Sequence, residues 1–284
     1  MAPTNPPAAK PAAKTEIVRE NYDFLREFVY RESGIVLDGD KQYLLEARLA
    51  PILHHRTLGS LNDLCALLRM TSDPPLEQQV VEAMTTNETY FFRDLAHYET
   101  LKTAVLPALI AQRQSTRKLS FWSAAASTGQ EAYSLAMMLL EMGLGGWDLQ
   151  ILGTDLSNQV LERARAAKYM QIEVNRGLPT TLLVKYFTRQ GLDWQLKDEV
   201  RRMVRFKQFD LRQNMRTLGP FDIVFCRNVL IYFDIPTKKQ IMSGIRGTLY
   251  DEGYLLLGGS ETTLGLCDQF KQQSFGNAVV YASA

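Results

Sequence analysis

Two stretches of this 284-residue chain have residues of the right type and spacing to hold a nucleoside. The first is Phe121-Trp122-Ser123-Ala124-Ala125-Ala126-Ser127-Thr128-Gly129-Gln130-Glu131, where an apolar strand runs through small residues into an apolar helix. Small side chains let a backbone approach a ligand closely, and the first turn of a helix offers N–H groups that no helical carbonyl uses. The loop has alanines where a dinucleotide GxGxxG loop has glycines. The second is Asp155, which follows the apolar run 149–153. A carboxylate at the end of a second strand can accept from both ribose hydroxyls. Its alternative task is to cap the following helix, with Ser157 as rival cap. Loop and acid, at the spacing of a βαβ unit, point to an adenosine-containing cofactor but do not separate NAD from S-adenosylmethionine (AdoMet). No GxxxxGK[ST] loop occurs, which argues against ATP chemistry.

The elements around these residues belong to an α/β domain. A helix over 98–112 precedes the strand 119–123, and the helix 131–142 follows it. Next come the strand 149–153, a helix over 161–167, a buried strand 221–226, a helix 237–250, a strand 253–257 and a last apolar run, 278–281, that can close the sheet edge. Strands alternating with helices imply a mostly parallel sheet covered on both faces. Residues 171–206 interrupt the alternation and are too long for an ordinary connection. They read as a helical piece and a small hairpin-like lobe before a strand at 204–206, either a cover over the sheet edge or a docking lobe. Residues 15–84 carry only helical periodicity, in four helices. Gly34 stops the first, Ser60 caps the third and Asp73-Pro74-Pro75 opens the fourth. The expected organisation is therefore a disordered Pro/Ala-rich tail at 1–14, an all-helical domain at 15–84, a linker at 85–95, and an α/β domain at 96–284 with its insertion at about 171–206.

Composition narrows the chemistry. Apolar residues make up 46% and charged residues 22%, so a sizeable core is available. The net charge of +1 gives no global attraction to nucleic acid or acidic membrane. Cys65, Cys226 and Cys267 are scattered, and histidines stand only at 54, 55 and 97. Neither a disulfide framework nor a metal site is expected. No apolar run reaches the roughly 20 residues that span a bilayer.

Four segments are specific enough to name a family. Thr86-Asn87-Glu88-Thr89-Tyr90-Phe91-Phe92-Arg93-Asp94 resembles the linker motif of the CheR family, the chemotaxis receptor methyltransferases. The loop from Trp122 to Glu131 resembles that family's alanine-rich AdoMet loop. Phe221-Asp222-Ile223-Val224-Phe225-Cys226-Arg227-Asn228-Val229-Leu230-Ile231-Tyr232-Phe233 and Gly258-Gly259-Ser260-Glu261 are similar to its later motifs, and all four stand in family order. The resemblance implies a Rossmann-like AdoMet-dependent methyltransferase domain with a small β-subdomain inserted and an all-α N-terminal domain. It implies methyl transfer from AdoMet to receptor glutamates, leaving S-adenosylhomocysteine, without a metal. It also implies that Asn87, Thr89 and Arg93 reach the cofactor from the linker. Ala125 lies in the cofactor loop, and Glu131 sits near the methionine moiety. Asp155 holds the ribose, and Asp210 and Leu211 flank the adenine. Arg227 and Asn228 line the pocket, and Tyr232 faces the reacting centre. The family usually has Asn-Leu where this chain has Asp210-Leu211, which makes the first of those contacts a departure.

These residue types suit the reaction. A glutamate is ionised at neutral pH, so its methylation needs positioning rather than a general base. Arg93 can pair with a carboxylate, or hold the cofactor's own, and Tyr232 can donate one hydrogen bond. The structural alternatives are a salt bridge from Arg93 to Asp94 or Glu88 and core packing of Tyr232 beside Phe233. Phe91, Phe92 and Trp122 read as packing residues. Lys41, Arg48 and His55, seven residues apart, make one stripe of the second helix, with Arg56 at its other side, and form a candidate receptor-facing surface. The turn 188–193 is short, which argues against dependence on a receptor C-terminal peptide tether. The partners expected are the cytoplasmic helical domains of chemoreceptors, with no nucleic acid and no direct membrane insertion. The enzyme is expected to be a cytoplasmic monomer recruited to receptor arrays. Competing readings are a methyltransferase for a small carboxylic acid or another protein, and a non-catalytic AdoMet-sensing module.

Overall fold

The structure, a computed structural model, describes residues 16–37, 39 and 41–284. The tail expected at 1–14 lies outside them. The described chain divides into two compact units, one holding residues up to 32 with 37–84, the other 33–36 with 85–284.

The first unit is helical: α1 (Arg19–Ser33), α2 (Gln42–His55), α3 (Leu61–Met70) and α4 (Pro74–Met84). Apolar residues at helical spacing put Leu25, Phe28 and Val29 of α1, Leu45 and Leu49 of α2, Leu64 of α3 and Val80 of α4 in its core. Each such side chain contributes roughly 1.5–3 kcal/mol by leaving water. The helix starts follow the sequence closely. The Ser60 hydroxyl accepts from Asp63 N, Asp73 Oδ1 accepts from Leu76 N, and Pro74 stands where no helical N–H is needed.

The second unit begins, after a linker, with α5 (Leu95–Thr100), a π turn (Leu101–Val105) and α6 (Leu106–Gln112). Then follow β1 (Lys118–Ser123), α7 (Gln130–Glu141), β2 (Asp148–Asp155), α8 (Asn158–Ala166), β3 (Lys168–Met170), α9 (Gln171–Asn175) and α10 (Thr180–Tyr186). The chain continues through β4 (Phe187–Gln190), β5 (Asp193–Leu196), α11 (Asp198–Arg201), β6 (Val204–Gln208), β7 (Phe221–Cys226), α12 (Ile235–Arg246), β8 (Leu249–Leu257), β9 (Phe270–Phe275) and β10 (Ala278–Ser283). Seven strands form one sheet in the order β6-β2-β1-β7-β8-β10-β9. From β6 to β8 all pairs are parallel, and β10 is antiparallel to both its neighbours. The strand order reverses at β1, which has β2 on one side and β7 on the other, so the crevice for a ligand lies beyond the carboxyl ends of these strands. This is the α/β architecture expected from the sequence. Among the described residues no helix is long and apolar enough to cross a membrane.

Three local expectations change. The helix expected at 237–250 ends at Arg246, and Tyr250 lies in β8, which starts directly after the short turn Gly247-Thr248. Ala278–Ser283 is not the sheet edge, because β9 pairs along its full length outside it. The insertion's antiparallel sheet, β3-β5-β4, begins at Lys168, three residues before the expected start, and Tyr169 is its buried anchor. The hairpin between β4 and β5 closes in two residues, with Gly191 at φ +64, the first-position glycine of a type II′ turn.

The insertion is locked to the linker by Gly177. It has φ +81, and a Cβ there would lie 2.0 Å from the Phe91 carbonyl oxygen. Phe91 in turn packs edge-on against Tyr169 and Phe187 of the subdomain. A Gly177→Ala variant is expected to lose at least about 2 kcal/mol, from left-handed backbone strain and overlap with backbone. Urea unfolding measures it, and an unchanged midpoint would contradict the account.

Candidate active site

The carboxyl ends of β1, β2, β6 and β7 open on a cavity with about 900 Å³ of empty space including its mouth. Asn87, Thr89 and Arg93 from the linker line it. So do Ala125 and Glu131 after β1, Asp155 ending β2, Asp210 and Leu211 after β6, and Arg227, Asn228 and Tyr232 after β7. Residues distant in sequence are thereby brought to one chamber. It also takes in residues that sequence patterns did not single out. Ile35, Leu156 and Phe209 add apolar wall, and Thr85 extends the linker side. Ile35 sits more than fifty residues from any motif, so no local signal could have assigned it.

The Asp155 carboxylate is almost buried. It accepts from Ser127 N at 2.9 Å and from Ser157 N at 3.0 Å. It therefore ties the small-residue loop to the start of α8. The cap itself is Ser157, whose hydroxyl accepts from Val160 N. The loop is held on its other side by the Ser127 hydroxyl, which donates to the Asn87 carbonyl at 2.8 Å. The linker and the loop thus share one hydrogen-bond frame around the cavity.

A second frame centres on Arg227. Its side chain is 2% exposed. One guanidinium nitrogen donates to Glu131 Oε2 at 2.9 Å, and another to Asp94 Oδ2 at 2.6 Å and to the Arg93 carbonyl at 2.8 Å. Burial alone would lower its pKa, but Glu131, Tyr98 and Asp94 outweigh that and raise it. Glu131 also accepts from the Ser123 hydroxyl at 2.7 Å. Cys226, the residue before Arg227, is fully enclosed, and burial pushes its thiol well above the usual range, which removes it as a nucleophile.

Arg93 does not pair with either carboxylate expected as its alternative partner. Asp94 is taken by Arg227 and the Glu88 carboxylate by Arg176, while Arg93 donates to the Glu88 carbonyl at 3.0 Å. Tyr232 lies on the short 3-10 turn Leu230–Tyr232, is half-buried at the cavity wall, and its hydroxyl has no hydrogen-bond partner among the described residues. The Asn228 carboxamide is likewise unengaged among them. Asp210 differs: its carboxylate is gripped by the Arg212 guanidinium, with Nε at 3.0 and 3.1 Å and a terminal nitrogen at 2.6 Å. Its side chain is thereby directed toward Arg212. Phe91, Phe92 and Trp122 are core residues outside the cavity lining.

The basic stripe of the first unit is largely committed to that unit. Arg48 donates to the Met84 carbonyl at the end of α4 at 2.7 Å, and Arg56 pairs with Asp73 at 2.9 Å. Spacing alone placed both on a free face, whereas their partners lie 36 and 17 residues away. His55 is exposed and Lys41 half-buried just before α2.

Comparison with known proteins gives the chamber its family. Residues 87–279 match the family model described as "CheR methyltransferase, SAM binding domain". Residues 20–85 match that described as "CheR methyltransferase, all-alpha domain". The chain belongs to the CheR methyltransferase family. It is 39% identical over 269 residues to a chemotaxis protein methyltransferase of Pseudomonas putida, covering 92% of this chain and 98% of that one. A chemotaxis protein methyltransferase of Pseudomonas aeruginosa is 39% identical over 267 residues, covering 92% and 97%. One of Vibrio cholerae is 38% identical over 269 residues, covering 93% and 96%. The cofactor of this CheR methyltransferase is AdoMet, and the chamber's chemistry fits that molecule. It is lined by a carboxylate of the kind that takes ribose hydroxyls, by apolar side chains, and by opposite charges on Glu131 and Arg93.

Proposed function

We propose that this enzyme transfers the methyl group of AdoMet to glutamate side chains in the cytoplasmic helical domain of chemoreceptors, forming methyl esters. Bound AdoMet supplies an electrophilic methyl on a sulfonium. Asp155 holds the ribose, Leu211 and Phe209 enclose the adenine, and Asn87, Thr89 and Glu131 hold the methionine end. Asp210 shapes the adenine side mainly through its backbone, since Arg212 takes its carboxylate. Arg227 keeps Glu131 and the linker in place. Arg93 and Tyr232 receive the acceptor carboxylate.

The observation that supports this reading most is that the Tyr232 phenol, unengaged among the described residues, and the Arg93 guanidinium line the same cavity. An ionised glutamate needs no base. It needs donors that hold one oxygen in line with the methyl while water is excluded, an effect worth several kcal/mol. The decisive experiment is transfer from methyl-labelled AdoMet to membranes carrying chemoreceptors, with Asp155→Ala as control. Base-labile label on receptor glutamates is expected. Tight AdoMet binding without receptor label would sink the acceptor assignment.

The enzyme works as a cytoplasmic monomer recruited to receptor arrays, and the helical unit meets the receptor. Because Arg48 and Arg56 serve the unit's own fold, the test falls on Lys41 and His55. The pair Lys41→Glu and His55→Glu is expected to raise the receptor KM about threefold or more at low salt, leaving AdoMet affinity unchanged. Unchanged receptor kinetics would remove this face from the proposal. The two-residue hairpin offers little edge for an extended peptide, so the enzyme acts without a C-terminal tether. Calorimetry with a receptor-tail pentapeptide is expected to give no micromolar binding, and finding it would reverse that conclusion.

A further inference from the structure

The last motif, Gly258 to Glu261, has no task in the reaction just described, yet Glu261 accepts from three backbone N–H groups. Its Oε2 accepts from Asn228 N at 2.7 Å and from Gly258 N at 2.8 Å, and its Oε1 accepts from Ile231 N at 3.3 Å. One carboxylate therefore joins the end of β8 to the loop that follows β7. Glu261 does not line the cavity; it lines a separate cleft together with Asp94 and His97.

We propose that Glu261 is a positioning residue for methyl transfer, fixing the backbone from which Asn228 and Tyr232 reach the chamber; the inference rests on the reading above. Asn228 has φ +59, a left-handed conformation that an asparagine tolerates but that needs holding. Its N–H is the group Glu261 grips most closely. Charge-assisted bonds of this kind are roughly twice as strong as neutral ones. The Ile231 N–H contact sets the turn that carries Tyr232. Gly258 is shaped to the same purpose. A Cβ there would lie 2.6 Å from Asn228 Nδ2 and 2.8 Å from Glu261 Oε2, so a larger residue would push the carboxylate off the loop. Releasing the loop displaces two polar side chains, Asn228 and Tyr232, that have no side-chain hydrogen-bond partner among the described residues to hold them.

The test compares E261A and E261Q, alone and in Y232F or N228A backgrounds. It reads kcat for receptor methylation, S-adenosylhomocysteine affinity by calorimetry, and melting temperature. E261A is expected to lower kcat by about a hundredfold, the scale of a small misplacement at a reacting centre. E261Q is expected to recover to within about fivefold of wild type, because its amide oxygen can still accept from Asn228 and Gly258. In Y232F the further loss from E261A should shrink below about threefold, the mark of two residues acting as a unit. An equal fold-loss with and without Tyr232 would overturn the proposal, as would full activity in E261A. If wild type labels no receptor, the acceptor assignment fails by itself and Glu261 is judged on product affinity. There E261A should weaken binding about tenfold in wild type and not in N228A. Unchanged affinity, or equal weakening in both, would then overturn the role.

Discussion

Replacing Arg227 by alanine is expected to abolish measurable methyl transfer and to destabilise the second unit by about 3–5 kcal/mol, the usual result of removing one partner from a buried charged pair. The guanidinium joins three pieces of chain: the linker at Arg93 and Asp94, the first turn of α7 at Glu131, and the end of β7. Without it, the Glu131 carboxylate, 12% exposed, keeps only the Ser123 hydroxyl among the described residues. The linker also loses its anchor one residue from Arg93. Two variants separate charge from shape. Arg227→Lys restores a cation but not the fork that reaches Glu131 and Asp94 together, so it should recover part of the stability and little of the rate. Adding Glu131→Gln to Arg227→Ala removes the stranded charge and should return about 1–2 kcal/mol without restoring transfer. Urea unfolding and single-turnover methylation provide the two readings. An Arg227→Ala enzyme with near-normal rate would mean that the linker is held some other way. Failure of Glu131→Gln to relieve the instability would mean that Glu131 is not the group left stranded.

The sequence disclosed local runs and concealed distant partners. β7 was legible because Phe221, Ile223, Val224, Phe225 and Cys226 form an apolar run interrupted at one position, buried along its whole length. The same run hides Asp222, whose carboxylate accepts from Ser120 N and pairs with Arg113, 102 and 109 residues away. β9 was missed for the opposite reason. Lys271, Gln272 and Gln273 lie on an exposed edge strand, where no apolar alternation is needed. Cavity-lining residues after β1, β2 and β7 could be picked out because each run follows a strand end, and those of the linker because its motif resembles the family's. The parts that hold those runs could not. Arg227 joins segments more than ninety residues apart, and Glu261 acts on backbone 30 and 33 residues before it. The partners that Arg48 and Arg56 find within their own unit were hidden on the same ground. Spacing places a side chain on a face but says nothing of what that face meets.

Asp155 gives the second large effect, and its test distinguishes ligand contact from structural support. The carboxylate already takes two backbone N–H groups, one on each oxygen, and each oxygen can accept again. Two ribose hydroxyls donating to an ionised group contribute roughly 1.5–3 kcal/mol each. Asp155→Asn should therefore weaken AdoMet at least about a hundredfold, and Asp155→Ala more. Loss of affinity alone does not settle the mechanism, because either variant also loosens the Ser127 loop. The discriminating ligands are S-adenosylhomocysteine and its 2′-deoxy and 3′-deoxy analogues. Wild type should bind the intact ribose more tightly than either deoxy form, by about tenfold or more. In Asp155→Ala that preference should vanish, with all three ligands binding equally weakly. If the preference survives while overall affinity falls, Asp155 serves the loop and another group reads the ribose. Comparing the three ligands within each variant cancels any general loosening of the chamber, which burdens them alike, and leaves only the contact to the hydroxyls.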